Sequence, residues 1–179
     1  MYILSVDPGI NCTGLSVLNN SGPFTVMEAI LVKNARKFTD PEKEVEKQYG
    51  NRVVKVQAIL AAIRVLLSKY HIETIVVEAP FYSALTPLAY GSLLEVIFAI
   101  KYDIVTKGDY VFKLIEPLLV KKLFSNKGNA AKEIIKEFLL KKKEDGSIII
   151  DIDIHTLSEH EIDSIAIGFV YNILLKEAA

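Results

Sequence analysis

Three carboxylates in this chain stand where chemistry is easily built. Asp7 closes the apolar run Tyr2-Ile3-Leu4-Ser5-Val6, and Pro8-Gly9 breaks the chain directly behind it. A lone carboxylate within a buried strand costs several kcal/mol, so Asp7 belongs at the strand's end, where open α/β sheets keep their sites. Glu78 likewise closes Ile72-Glu73-Thr74-Ile75-Val76-Val77, and Ala79-Pro80 stops that run. Asp163 lies one turn into an apolar C-terminal helix, with His160 three residues earlier on the same face. Carboxylates gathered in one cleft repel each other, and cations make such a cleft tolerable. Oxygen ligands with one imidazole suit Mg²⁺ or Mn²⁺. Two such ions roughly 3.5–4 Å apart activate water against a phosphodiester and stabilise the leaving oxygen. Each residue also has a plain structural reading. Asp7 and Glu78 serve as turn formers, Asp163 as a solvent-facing acid, and His160 as a helix-terminal surface residue. Spacing permits the group without establishing it.

The elements that must position these residues can be read in order. Thr13 to Leu18 alternates as a second strand paired back on the first, and Asn19–Pro23 turns the chain into a third strand near Phe24 to Leu31. Short turns between three successive strands predict an antiparallel meander, which argues against a purely parallel sheet. Lys33 to Asp40 reads as a loop. One long helix is expected from about Pro41, with Val53, Val56, Ile59, Leu60, Ile63, Leu66 and Leu67 on its buried face. After the strand ending at Glu78, Thr86 opens a helix through Tyr102. A fifth strand spans Tyr110 to Ile115, and helices cover Leu118–Phe124 and Ala130–Lys143. Ser147 to His155 reads either as an extra strand or as an irregular connection. Glu159 to about Leu175 forms the last helix.

The chain of 179 residues suffices for one domain with a proper core, taken here as residues 1–179. No apolar run reaches membrane-spanning length and no signal peptide opens the chain. With Cys12 as the one cysteine an internal disulfide is impossible, so a cytoplasmic protein is expected, with phage or organellar origin left open. A formal net charge of −1 does not announce nucleic-acid binding, yet it leaves room for an acidic pocket beside a basic face.

Ser5-Val6-Asp7-Pro8-Gly9 with Thr13-Gly14, Val77-Glu78-Ala79-Pro80-Phe81, and His160-Glu161-Ile162-Asp163-Ser164-Ile165-Ala166 together resemble the RuvC family of Holliday-junction resolvases. The resemblance runs over nearly the whole chain. It implies an RNase H-like α/β fold, a mixed five-stranded sheet whose first three strands are antiparallel, flanked by helices. It also places Asp7, Glu78 and Asp163 at the catalytic acid positions. His160 falls where many members carry a fourth aspartate and some a histidine, which keeps a metal ligand or supplies a proton-transfer group. Phe81 matches an aromatic that stacks at the junction centre. Lys121, Lys122, Lys127 and Lys132 match the family's basic stretch, apt for phosphates, whereas Lys141-Lys142-Lys143 reads as a solvated helix end. The implied activity is hydrolysis by two Mg²⁺ or Mn²⁺ ions, with paired nicks in a four-way DNA junction leaving 5′-phosphate and 3′-hydroxyl ends. The implied assembly is a homodimer formed through the helix that starts near Thr86, working beside recombination or replication machinery.

Two other functions compete. One is a related nuclease for flaps, forks or structured RNA. The other is a non-catalytic junction-binding module, against which the retention of Asp7, Glu78 and Asp163 argues. A third possibility shares the fold, the sugar-kinase and actin group, which uses an early Asp-Gly turn to bind ATP phosphates but needs a much longer chain with two such domains around a cleft.

Overall fold

The first strand, β1 (Tyr2–Asp7), lies in the middle of the sheet and is buried on both faces. The computed structural model describes residues 1–82, 87–125 and 132–178. β1 pairs antiparallel with β2 (Cys12–Asn19), which pairs antiparallel with β3 (Thr25–Lys33). On its other side β1 pairs parallel with β4 (Ile72–Glu78), and β4 pairs parallel with β5 (Val111–Ile115). The antiparallel meander is therefore present as the turns predicted. The sheet differs from the expected five strands by a sixth, β6 (Ile149–Ile150), which runs parallel along β3 opposite Thr25 and Val26. Two residues are too few to show a period, which is why the stretch from Ser147 read ambiguously. It holds β6 and then a 3₁₀ turn at Ile154–Thr156.

Helices cover both faces. On one lie α2 (Asn51–Lys69) and α3 (Pro87–Asp103), packed on Leu4, Val6, Leu15, Val17, Ile75 and Val77. On the other lie α4 (Pro117–Ser125), α5 (Lys132–Glu144) and α6 (Glu159–Glu177), over Ile3, Leu18 and Val76. The single long helix expected from Pro41 is instead two, α1 (Asp40–Tyr49) and α2, divided at Gly50. Gly50 has φ of +90°, a backbone state that glycine adopts without the strain of a side chain. The starts expected at Thr86 and Ala130 lie outside the described residues.

The two-residue period of a strand decides which face each side chain meets. Ile3, Ser5 and Asp7 share a face of β1, and Val76 and Glu78 share a face of β4. Ile3 and Val76 pack in the α6 core. Asp7 and Glu78 therefore point toward α6 and away from α2 and α3.

α6 lies very close to the sheet because its footprint is made of small residues. Ser5, Ser16 and Ser164 are fully buried, and their hydroxyls form one network. The Ser5 hydroxyl donates to the Ser164 carbonyl, and Ser16 Oγ lies 2.9 Å from Ser164 Oγ. A buried hydroxyl with a partner costs little, whereas one left without a partner costs about 1–3 kcal/mol. Gly168 faces Leu18 and Ser5 at a distance that leaves no room for a Cβ.

Candidate active site

The start of α6 is fixed by a capping box. Ser158 Oγ accepts from the Glu161 N–H, and the Glu161 carboxylate accepts from the Ser158 N–H at 2.8 Å. This places Glu159, His160 and Asp163 in the first turns of the helix, at the sheet edge where β1 and β4 end. Gly14, the register partner of Asp7 on β2, sits directly under that turn. A Cβ there would run into the backbone carbonyl of His160.

The turn behind Asp7 is held by its own bonds. Thr13 Oγ1 donates to the Gly9 carbonyl at 2.6 Å. Asn34, 2% exposed, donates its side-chain amide to the carbonyls of Ile10 and Lys55, both at 3.1 Å. The Thr13-Gly14 pair thus has two separable duties: threonine closes the Pro8–Gly9 turn, and glycine admits α6.

Asp7, Glu78, His160 and Asp163 line one pocket of about 230 Å³, together with Lys121 and Glu159. All four acid-site residues expected from the motifs are therefore brought together, from three separate elements. Lys121 joins them from α4, while Lys122 on the same helix is exposed and outside the pocket. Glu159 is a sixth charged wall that the sequence did not single out. Its only sequence signal is its place in the same first helical turn as His160. Phe81 is 61% exposed, beside an equally exposed Tyr82, so it is not a core residue. Lys132 opens α5, but its side chain, like the whole of Lys127, lies outside the described residues.

The electrostatics are those of a crowded acidic cleft. Burial pushes the Glu78 carboxyl up to about 8, the charges of Asp7 and Asp163 add to the rise, and Lys121 opposes it. His160 Nδ1 lies 2.6 Å from Asp7 Oδ2. That hydrogen bond raises the imidazole above its ordinary value against partial burial, and the charges of Asp7, Glu159 and Asp163 add to the rise.

The Glu78 shift carries a consequence for stability. Folded protein holds this proton up to about pH 8, whereas an unfolded glutamate loses it near 4.5. Between those values the native state binds more protons, so stability falls as pH rises. Glu78→Gln removes that dependence. Metal-free Glu78→Gln protein is expected to be more stable than the parent by about 2–3 kcal/mol at pH 7, with the gain shrinking toward pH 4.5. Denaturant melts in EDTA across this range check it; a variant no more stable than the parent at pH 7 contradicts it.

The donor set suits a hard divalent ion, since oxygen ligands with one imidazole match Mg²⁺ or Mn²⁺. Glu78 is raised first by burial and then by the charges of Asp7 and Asp163, and a bound cation would offset both. Among the described residues, however, no three His, Cys, Asp or Glu side chains are arranged as a ready metal cage.

No family model matches the chain. Over 71 residues it is 39% identical to a crossover junction endodeoxyribonuclease RuvC of Rhodopirellula baltica, covering 38% of this chain and 40% of that protein. A second enzyme of that name, from Cytophaga hutchinsonii, is 27% identical over 141 residues, 78% of this chain and 63% of its own. The matches thus span less than two thirds of either relative. Among solved structures, Thermus thermophilus RuvC in complex with a Holliday junction substrate superposes with a TM-score of 0.70 at 20% identity. That superposition covers 99% of this chain and 96% of the other. The chain is thus similar in sequence to part of these two enzymes, and its mixed α/β fold is that of Thermus thermophilus RuvC.

Proposed function

We propose that this protein is a divalent-metal-dependent endonuclease that cuts four-way DNA junctions. The observation that carries the proposal is the convergence of Asp7, Glu78, Asp163, His160 and Lys121 on one pocket at the ends of β1 and β4. The resemblance of sequence and fold to RuvC supports it, as does the name carried by both curated relatives.

Asp7, Glu78, Asp163 and His160 would hold the ions. Bound there, Mg²⁺ or Mn²⁺ supplies Lewis acidity toward the phosphate and neutralises the cluster. Lys121 brings a cationic side chain to the pocket lining and orients the phosphate against the acids. His160, hydrogen-bonded to Asp7, is placed to hold or pass a proton at Nδ1. The products are 5′-phosphate and 3′-hydroxyl ends. Phe81, exposed three residues beyond Glu78, stacks on a base where the strands separate. Lys122, Lys127 and Lys132 contact the DNA backbone.

The working unit is a homodimer joined through α3. Leu94, Phe98 and Tyr102 form an exposed stripe at helical spacing, and the Phe98 and Tyr102 rings stack 5.9 Å apart. Phe98→Glu is expected to convert a dimer in sedimentation velocity to a monomer; an unchanged sedimentation coefficient contradicts this face. No helix among the described residues is long and apolar enough to cross a membrane.

The deciding assay offers labelled four-way junction, flap, fork, structured RNA and duplex DNA with Mg²⁺, Mn²⁺ or EDTA. Paired symmetric nicks in the junction, abolished by EDTA, are expected. Cleavage of flaps or RNA in preference to the junction favours the related-nuclease alternative, and binding without any cleavage favours a junction-binding module.

A further inference from the structure

A second recess, of about 430 Å³, lies between the candidate site and α3. The Gly9–Cys12 turn forms one wall, the first two turns of α3 (Leu88, Ala89, Ser92 and Leu93) form the other, and His160 closes the end. His160 is therefore shared: it lines both this recess and the carboxylate pocket, where its Nδ1 meets Asp7.

The chemistry of the recess is unlike that of its neighbour. Among the described residues no lysine, arginine, aspartate or glutamate lines it. Apart from the His160 imidazole at its end, its polar groups are neutral amide, hydroxyl and thiol functions, on Asn11, Ser92 and Cys12. The Asn11 carboxamide is anchored by its oxygen, which accepts from Lys55 at 2.7 Å. Ser92 donates to the Leu88 carbonyl at 3.1 Å, which leaves its oxygen able to accept. An apolar recess with a few placed polar groups, within the roughly 300–1,000 Å³ usual for small-molecule sites, suits a flat heteroaromatic ring. It does not suit a phosphate or a metal ion.

Because His160 lines both cavities, the recess stands directly beside a phosphate bound at the carboxylates. We infer that the recess takes the base of a nucleotide adjoining the scissile phosphate, gripping its faces with Leu88, Ala89 and Leu93 and meeting its edge with Asn11 and Ser92. It thereby sets which base stands beside the cut. The inference rests on the nuclease proposal and adds the element that selects sequence.

The test uses the full chain and synthetic immobile four-way junctions. In one series the nucleotides flanking the cut are permuted, and in another each is made abasic. Wild-type protein is expected to cleave one of the two abasic junctions about tenfold more slowly, with binding changed less than about threefold. Ala89→Trp fills the recess from its exposed rim, and it is expected to cut the permuted junctions at nearly equal, low rates. Cys12 reports occupancy independently. In the non-cleaving Asp7→Asn protein, saturating junction is expected to slow N-ethylmaleimide modification of Cys12 about tenfold, and the matching abasic junction to restore it. Equal cleavage of both abasic junctions, or unchanged thiol reactivity, overturns the recess while leaving the nuclease intact. Wild-type protein that cuts no junction overturns the nuclease proposal, and the recess with it. Should Ala89→Trp fail to fold, the abasic and thiol arms decide.

Discussion

Asp7→Asn is expected to leave a folded protein that binds four-way junctions and does not cut them, with a rate loss on the order of 10³-fold. Asparagine keeps the shape and an acceptor oxygen, so a neutral His160 can still donate from Nδ1 and the turn at Pro8–Gly9 is undisturbed. What disappears is a formal charge at the position shared by β1, Glu78 and His160. Two titrations should move with it. His160 loses the partner that raises its pKa most, and Glu78 loses one of the two like charges that add to its rise. The junction assay under Mg²⁺ and Mn²⁺, paired with gel-shift binding in EDTA, checks the separation of cutting from binding. Substantial cleavage by Asp7→Asn removes the site assignment. Lost binding together with lost cleavage shows instead that Asp7 supports the fold.

Gly14→Ala adds one carbon, and its expected effect is the largest on stability of any change so small. The new Cβ meets the carbonyl of His160, a backbone atom that no rotamer change can withdraw. Either β2 or the first turn of α6 must shift, and both are packed against fully buried residues. Overpacking of this kind costs about 3 kcal/mol, the upper end for a rigid neighbour. For a chain of this length that lowers the melting temperature by roughly 6–12 °C. Activity should fall together with stability, because the displaced turn carries His160 and Asp163. Gly22→Ala, with nothing within 4 Å of its added carbon, is the matched control and should be near neutral. A Gly14→Ala protein as stable and active as the parent would show that α6 does not depend on this close approach.

The site was legible in the sequence because carboxylates at strand ends are conspicuous. Asp7 and Glu78 each follow a β-branched or aliphatic run, and a proline at the first or second residue beyond breaks the strand. Asp163 was harder to place by pattern, since an acid among Ile162, Ile165 and Ile167 reads equally as a solvent-facing position; the motif resemblance supplied the grouping. What escaped were properties of close approach. Ser5, Ser16 and Ser164 read as polar interruptions in apolar segments, yet they form the buried seam that draws α6 onto the sheet. Nothing local in Thr13-Gly14 says that the glycine makes space for a helix some 150 residues later. Gly50 was lost inside a convincing helical period, because the period resumes on its far side with little change of phase. Pattern reports what each segment prefers, and contact distances emerge only when segments meet.

The short β6 has a further consequence. It lies along β3 opposite Thr25 and Val26, with the Ile149 N–H donating to the Phe24 carbonyl at 2.8 Å, so a foreign strand cannot add there without displacing it. At the opposite margin β5 pairs, among the described residues, with β4 alone, and Val111 and Leu114 are about half exposed. Lys113, exposed between them, puts a charge on that margin. Intermolecular strand addition, and with it aggregation under partial denaturation, should therefore begin at β5, with Lys113 as its gatekeeper.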